Sequence, residues 1–377
     1  MLVVGRVTSA EPLIPDGRLT WAPDTRIKKG ERLAAFPHDP DRVWVTTEAG
    51  IMETADDGAT WNLIPGTSRE VLGRVNDVLF SPFDLNIVFI ASREKGVLRS
   101  DDGGKTWRAV GTPQTGMAAL NVHKLRVPDS DLALRSIYAT HGGSVPGLSR
   151  SVDGGNKWAP ATTEFFCEDV HFIGTVMLMH GARKSEPDLK SVFRSVDGGQ
   201  LWADVRRDIP VNAMVSSQMK AWPKLIALQK GGICDTDSYK PKIESLAGRW
   251  TSLFSVMENA GEQEVIYAYD PYKHGLLASK DGFATYRREN DNLFVGPLVK
   301  EGAHVCCNAN GSTFYALING QVYVGRAMQG LAPVISGAKV TPGVFRVPSE
   351  ALFKAQLDKD KEWPAKNLTL TVSARIT

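Results

Sequence analysis

The chain has 377 residues, 42% of them hydrophobic, and its 44 Lys and Arg against 42 Asp and Glu leave a net charge of +2. A balanced surface without blocks of like charge excludes sequence-independent binding to nucleic acid or to an anionic membrane, and no run approaches 18 apolar residues, so membrane insertion is not expected. Residues Met1 to Arg6 lack the charged and apolar regions of a signal peptide, which predicts a cytoplasmic protein or one assembled into a particle, secreted only if a leader has been removed.

In chain order, the first element is an isolated strand at Arg18-Leu19-Thr20-Trp21-Ala22-Pro23. Short apolar and β-branched runs ending in turn residues then recur at Val43 to Thr47, Ile87 to Ser92, Ser136 to Thr140, Val176 to Met179, Leu225 to Leu228, Val265 to Tyr269 and Thr313 to Leu317, each read as the second strand of a repeat. A pattern S/T-x-D-x-G-x-x-W punctuates them at Thr54 to Trp61, Ser100 to Trp107, Ser151 to Trp158 and Ser195 to Trp202, with a degenerate copy at Ser279 to Tyr286. The last spacing is about twice the others, so one repeat without the pattern lies between Trp202 and Ser279. The final repeat has a third strand at Gln321-Val322-Tyr323-Val324 but no fourth. Residues 18 to 23 supply it, which pairs the two ends of a ring and removes an open sheet edge.

The pattern has a physical reading. Asp and Ser side chains bond nearby backbone amides, Gly takes backbone angles other residues avoid, and the following Trp lays its ring beneath the turn. These aspartates, Asp56, Asp102, Asp153, Asp197 and Asp281, therefore read as structural, and Trp107, Trp158 and Trp202 as buried. A period of 40 to 50 residues is the signature of a propeller built from four-stranded sheets. The motif resembles the Asp-box, or BNR repeat, of sialidases, sortilin-type receptors, xyloglucan hydrolases and photosystem assembly factors. That resemblance implies an all-β propeller, and the seven second-strand runs make it a seven-bladed β-propeller, with six blades as the alternative. Its parts are an N-terminal segment 1–31 supplying the closing strand, the propeller at 32–330, and an extension at 331–377.

The extension predicts a short helix after Pro348-Ser349-Glu350 and a half-buried strand at Asn367 to Ser373, packed on its own propeller or added to another subunit. Cys167 and Cys234 stand alone and Cys306 and Cys307 are neighbours, so no disulfide framework or metal pair is expected and no cofactor or metal is assigned. Asn310-Gly311-Ser312 and Asn367-Leu368-Thr369 match the glycosylation pattern by chance.

The first strand of each blade lines the central funnel, and its polar residues are the candidate ligand or partner site: Arg74, Asn76, Asn121, His123 and His171, with Asn212 and His304 further round. Glu168 and Asp169 are adjacent on a strand and should face opposite ways, so a shared ion is not expected. The sialidase resemblance does not extend to catalysis, because the nearest Arg-Ile-Pro type motif, Arg346-Val347-Pro348, follows the last repeat instead of preceding the first. The functional expectation is a non-catalytic binding or scaffold subunit of a larger assembly, with a protein partner or identical subunits engaged through residues 365–377. The alternative is a glycoside hydrolase or glycan-binding propeller using the funnel for carbohydrate, with Asp77 and Glu168 as the carboxylate pair.

Overall fold

The computed structural model describes residues 19–327, apart from 38, 83, 129–130, 132, 144, 216–224, 229–231, 236–245, 247, 259–262 and 301. Two compact units divide the chain, Met1–Arg326 and Ala327–Thr377. The expected helix and strand of the extension, the 365–377 surface and Arg346-Val347-Pro348 lie outside the described residues, as do the side chains of Asn212 and Leu225 to Leu228.

The architecture is an all-β propeller with six complete four-stranded blades. Seven complete blades, the number expected from the repeat period, are not met: the sheet of Val211–Val215, Leu225–Leu228 and Ile233–Asp235 has three strands among the described residues. The complete sheets run antiparallel from an inner to an outer strand. The first is Gly30–Ala35, Val43–Thr47, Ile51–Thr54 and Asn62–Leu63. The second begins at Val75–Phe80, the third at Val122–Arg126, the fourth at Phe165–Ile173, and another at Ser252–Glu258. In the closing sheet, His304–Cys307, Thr313–Ile318 and Gln321–Ala327 are joined at the outer edge by Leu19–Asp24, which comes from the other end of the chain. Among the described residues no helix is long and apolar enough to cross a membrane.

The S/T-x-D-x-G-x-x-W turns sit between third and fourth strands and share one hydrogen-bond plan. The leading hydroxyl donates to the Asp carboxylate at 2.8 to 2.9 Å and accepts the amide four residues on at 2.7 to 2.9 Å. The fourth and fifth residues both take positive φ, as at Gly103 and Gly104 (73° and 94°), which explains the glycines. Two non-glycine residues accept this geometry, Asp57 (φ 53°) and Phe283 (φ 67°). Asp57 gains in return: its carboxylate accepts from Thr313 Oγ1 at 2.6 Å and Tyr315 OH at 3.1 Å, tying the first sheet to the closing one.

Large apolar side chains fill the spaces between sheets. Phe36 and Phe80 stack there, and the fully buried Trp44 meets both edge-on, its centroid 5.1 Å from Phe80. The turn tryptophans are unequal. Trp158 is buried, whereas Trp107 and Trp202 are half-buried and pack against the edges of their core clusters. The indole N–H of each donates to the carbonyl of the turn's second glycine, at 2.9 Å for Trp107 and 2.8 Å for Trp202. In the first turn Trp61 donates instead to Asp24 Oδ2 at 2.8 Å, since the Arg26 guanidinium occupies the Gly58 carbonyl.

Candidate functional site

Inner strands of successive sheets touch one another: Gly30–Ala35 meets Val75–Phe80 and His304–Cys307, and Val122–Arg126 meets Val75–Phe80 and Phe165–Ile173. Five of these strands carry a β-bulge at the same level, which skips Glu31, Asn76, His123, Glu168 and Asn212 in the ladder. A bulge places two residues against one on the partner strand and re-aims the side chains beside it. The residues that follow it are Arg32, Asp77, Lys124 and Asp169, alternating in charge over four consecutive blades.

These groups form one ionic chain. Arg32 Nη2 lies 3.1 Å from Asp77 Oδ1, Arg126 Nη1 2.7 Å from Asp77 Oδ2, and Arg126 Nη2 2.7 Å from Asp169 Oδ2. His171 Nε2 is 3.8 Å beyond, on the same Asp169 oxygen. Burial pushes the Asp77 and Asp169 carboxyls up, but the surrounding cations, Lys124 and Arg126 foremost for Asp77 and Arg126 for Asp169, outweigh it and hold both below the usual range. Burial and the neighbouring Arg32 bring Lys124 down to about 8. His304 closes the ring. Burial and Arg32 lower it to about 3, so it is neutral, donating from Nδ1 to the Gly302 carbonyl at 2.8 Å and accepting the Leu33 amide at Nε2 at 2.9 Å.

The sequence-predicted residues divide into two groups. Asp77 and His171 belong to the ionic chain. Glu168 stands beside it, its carboxylate 2.5 Å from Lys190 Nζ and 3.5 Å from His180 Nδ1, contacts that hold it ionised against the effect of burial. Asn76 donates to the Val122 carbonyl at 2.7 Å, joining the second and third sheets. His123 is half-buried against Gly142, where a Cβ would fall 2.5 Å from the ring, and its pKa is lowered by burial and by Lys124. Asn121 is half-buried, and its Oδ1 has no hydrogen-bond partner within the protein. Arg74 precedes the bulge and is exposed, its amide donating to Glu94 at 2.7 Å, and it stands apart from the chain.

The expectation that Glu168 and Asp169 point to opposite faces is corrected by the bulge between Cys167 and Asp169: both approach His180, which sits directly opposite Asp169 on the next strand. Sequence reasoning missed Arg32, Lys124, Arg126 and His180. The signal available was a basic residue within inner strands whose neighbours were already suspected. Two further atoms next to the chain lack a partner within the protein: Thr46 Oγ1, whose residue pairs with Arg32, and Thr140 Oγ1, whose residue pairs with Lys124.

Inner-strand charges over four consecutive sheets sit on a β-propeller of repeated Asp-led turns. No family model matches the chain. It is 27% identical over 113 residues to an oligoxyloglucan-reducing end-specific xyloglucanase from Emericella nidulans, a match covering 26% of this chain and 14% of that enzyme. Among solved structures, YCF48 bound to D1 peptide superposes with a TM-score of 0.56 at 17% identity, over 85% of this chain and 98% of that one. The Niastella koreensis GH74 enzyme gives 0.52 at 16%, over 77% of this chain and 50% of that one. The chain thus spans half the length of the GH74 enzyme and far less of the curated xyloglucanase, and the structural likenesses are of fold.

Proposed function

We propose that this protein is a glycan-binding propeller of the Asp-box class, taking a hydroxyl-rich oligosaccharide of the xyloglucan type against its inner-strand ring. The observation that carries the reading is the local similarity to a xyloglucanase, set beside the polar inner-strand residues Arg32, Lys124 and Arg126 and Asn121 just before Val122–Arg126. Sugar hydroxyls both donate and accept, so they suit an amide oxygen beside guanidinium donors. Similarity to a xyloglucanase supports carbohydrate over the structural-subunit expectation.

Binding fits the carboxylates better than hydrolysis does. A glycosidase needs one carboxyl protonated to donate to the leaving oxygen. Asp77 is held ionised by Lys124, Arg126 and Arg32, and Glu168 by His180 and Lys190, so neither retains a proton near neutral pH. In this reading the three-stranded sheet is a seventh blade of the same ring, because its inner strand carries the same bulge and touches the inner strand Ser252–Glu258.

The test is calorimetric titration with xyloglucan oligosaccharides, beside a reducing-sugar assay on the polymer. Saturable binding that weakens at least about tenfold in Asn121→Ala, without sugar release, supports the proposal. Absence of binding sinks it, and sugar release that disappears in Glu168→Gln shows a hydrolase instead.

A further inference from the structure

We propose that Asp169, His171 and His180 form a site for one divalent transition-metal ion of the zinc type on the fourth blade. Asp169 and His171 lie two residues apart on the inner strand and so share a face, while His180 stands opposite Asp169 on the neighbouring strand. The bulge at Glu168 sets this register, and one ligand atom from each residue lies within 4.8 Å of the others. Tetrahedral donors around zinc stand about 3.3 Å apart, a contraction within reach of small side-chain rotations.

The independent sign of a ligand is His180. It is 3% exposed, and its Nε2 has no hydrogen-bond partner within the protein, a costly condition for a buried imidazole. Glu168 Oε2 approaches Nδ1 at 3.5 Å, fixed in turn by Lys190. That is the outer carboxylate of a carboxylate–histidine–metal arrangement, in which Nε2 would take the metal. The rings of His171 and His180 are near parallel, 22° apart with centroids at 6.1 Å.

Arg126 is the competing cation, 2.7 Å from Asp169 Oδ2. A carboxylate offers about four lone-pair sites, enough to serve a guanidinium and a metal together. Two imidazoles and one carboxylate match zinc and neighbouring first-row ions and leave one coordination position open.

The experiment uses untagged full-length protein, stripped with chelator and titrated with Zn²⁺ by calorimetry, with Co²⁺ absorption as a second probe. The expected result is one equivalent bound per chain, weakened about 100-fold or more in His180→Ala and roughly 10 to 100-fold in Glu168→Gln. Should His180→Ala fail to fold, the Co²⁺ spectrum decides: wild-type ligand-field bands that change in His171→Gln support the site. Wild-type protein that binds no stoichiometric Zn²⁺, affinity unchanged in a folded His180→Ala, or a Co²⁺ spectrum unaltered in His171→Gln overturns it.

Discussion

Arg126 is the point at which the ionic chain is most exposed to test. Its guanidinium bridges two buried carboxylates, Asp77 and Asp169, with side-chain exposures of 8% and 11% against its own 29%. Replacing it with Met keeps most of the volume and removes the charge, leaving two carboxylates short of a counterion within the same ring. Breaking a buried pair from one side costs about 3 to 5 kcal/mol, and the partial exposure of Arg126 points to the lower end. In a propeller this size, about 3 kcal/mol corresponds to a fall in melting temperature of about 6 °C. The pH dependence gives a sharper signature. In the wild type both carboxyls titrate below their unfolded values, so their stabilisation is complete above the unfolded pKa and lost as pH falls through the folded one. Without Arg126, Asp169 loses its foremost counterion and burial raises its carboxyl, while Asp77 keeps Lys124 and Arg32 and rises less. The folded state then takes up protons more readily than the unfolded state, and the variant recovers stability relative to wild type as pH drops from about 7 to 5. Thermal melts at both pH values read this directly. A variant within about 1 kcal/mol of wild type at pH 7, with the same pH slope, refutes the bridging role.

Three further outcomes follow from the same geometry. Trp158→Ala should cost about 3 to 5 kcal/mol and Trp202→Ala clearly less, because Trp158 is buried and Trp202 is not; equal losses in chemical denaturation would contradict that ranking. Lys124 titrates near 8 when folded and higher when unfolded, so the unfolded state binds the extra proton and wild type should gain stability relative to Lys124→Met as pH rises from about 8 to 10; a flat difference would show that the amine is solvated. Burial pushes the Cys306 thiol up to about 12, so it should resist iodoacetamide at pH 8 in the folded protein and react once unfolded, which mass spectrometry of labelled peptides reports; rapid native labelling would show an open site.

The Asp-led turns and the second strands were legible because each is encoded within a few residues: Val43–Thr47 and Leu225–Leu228 fall where their β-branched and apolar runs lie. The pairing of Leu19–Asp24 into the closing sheet was legible from Trp21 and from the missing outer strand. What escaped depends on partners far away in sequence. Arg126 reaches Asp77 and Asp169 from a neighbouring blade on each side, and no local pattern announces such a bridge. The bulge at Glu168 shifts register by one residue, which inverts the simple alternation rule and brings Glu168 and Asp169 toward the same histidine. Trp107 and Trp202 kept the motif but not the full burial, since exposure is set by the adjacent sheet and not by the turn itself.

The most direct measurement is a crystal structure of the protein with a xyloglucan oligosaccharide. The account predicts sugar hydroxyls within hydrogen-bond distance of Asn121 and of at least one of Arg32, Lys124 and Arg126. An oligosaccharide bound only on the outer faces of the blades, or inner strands holding no sugar at saturating concentration, would contradict it.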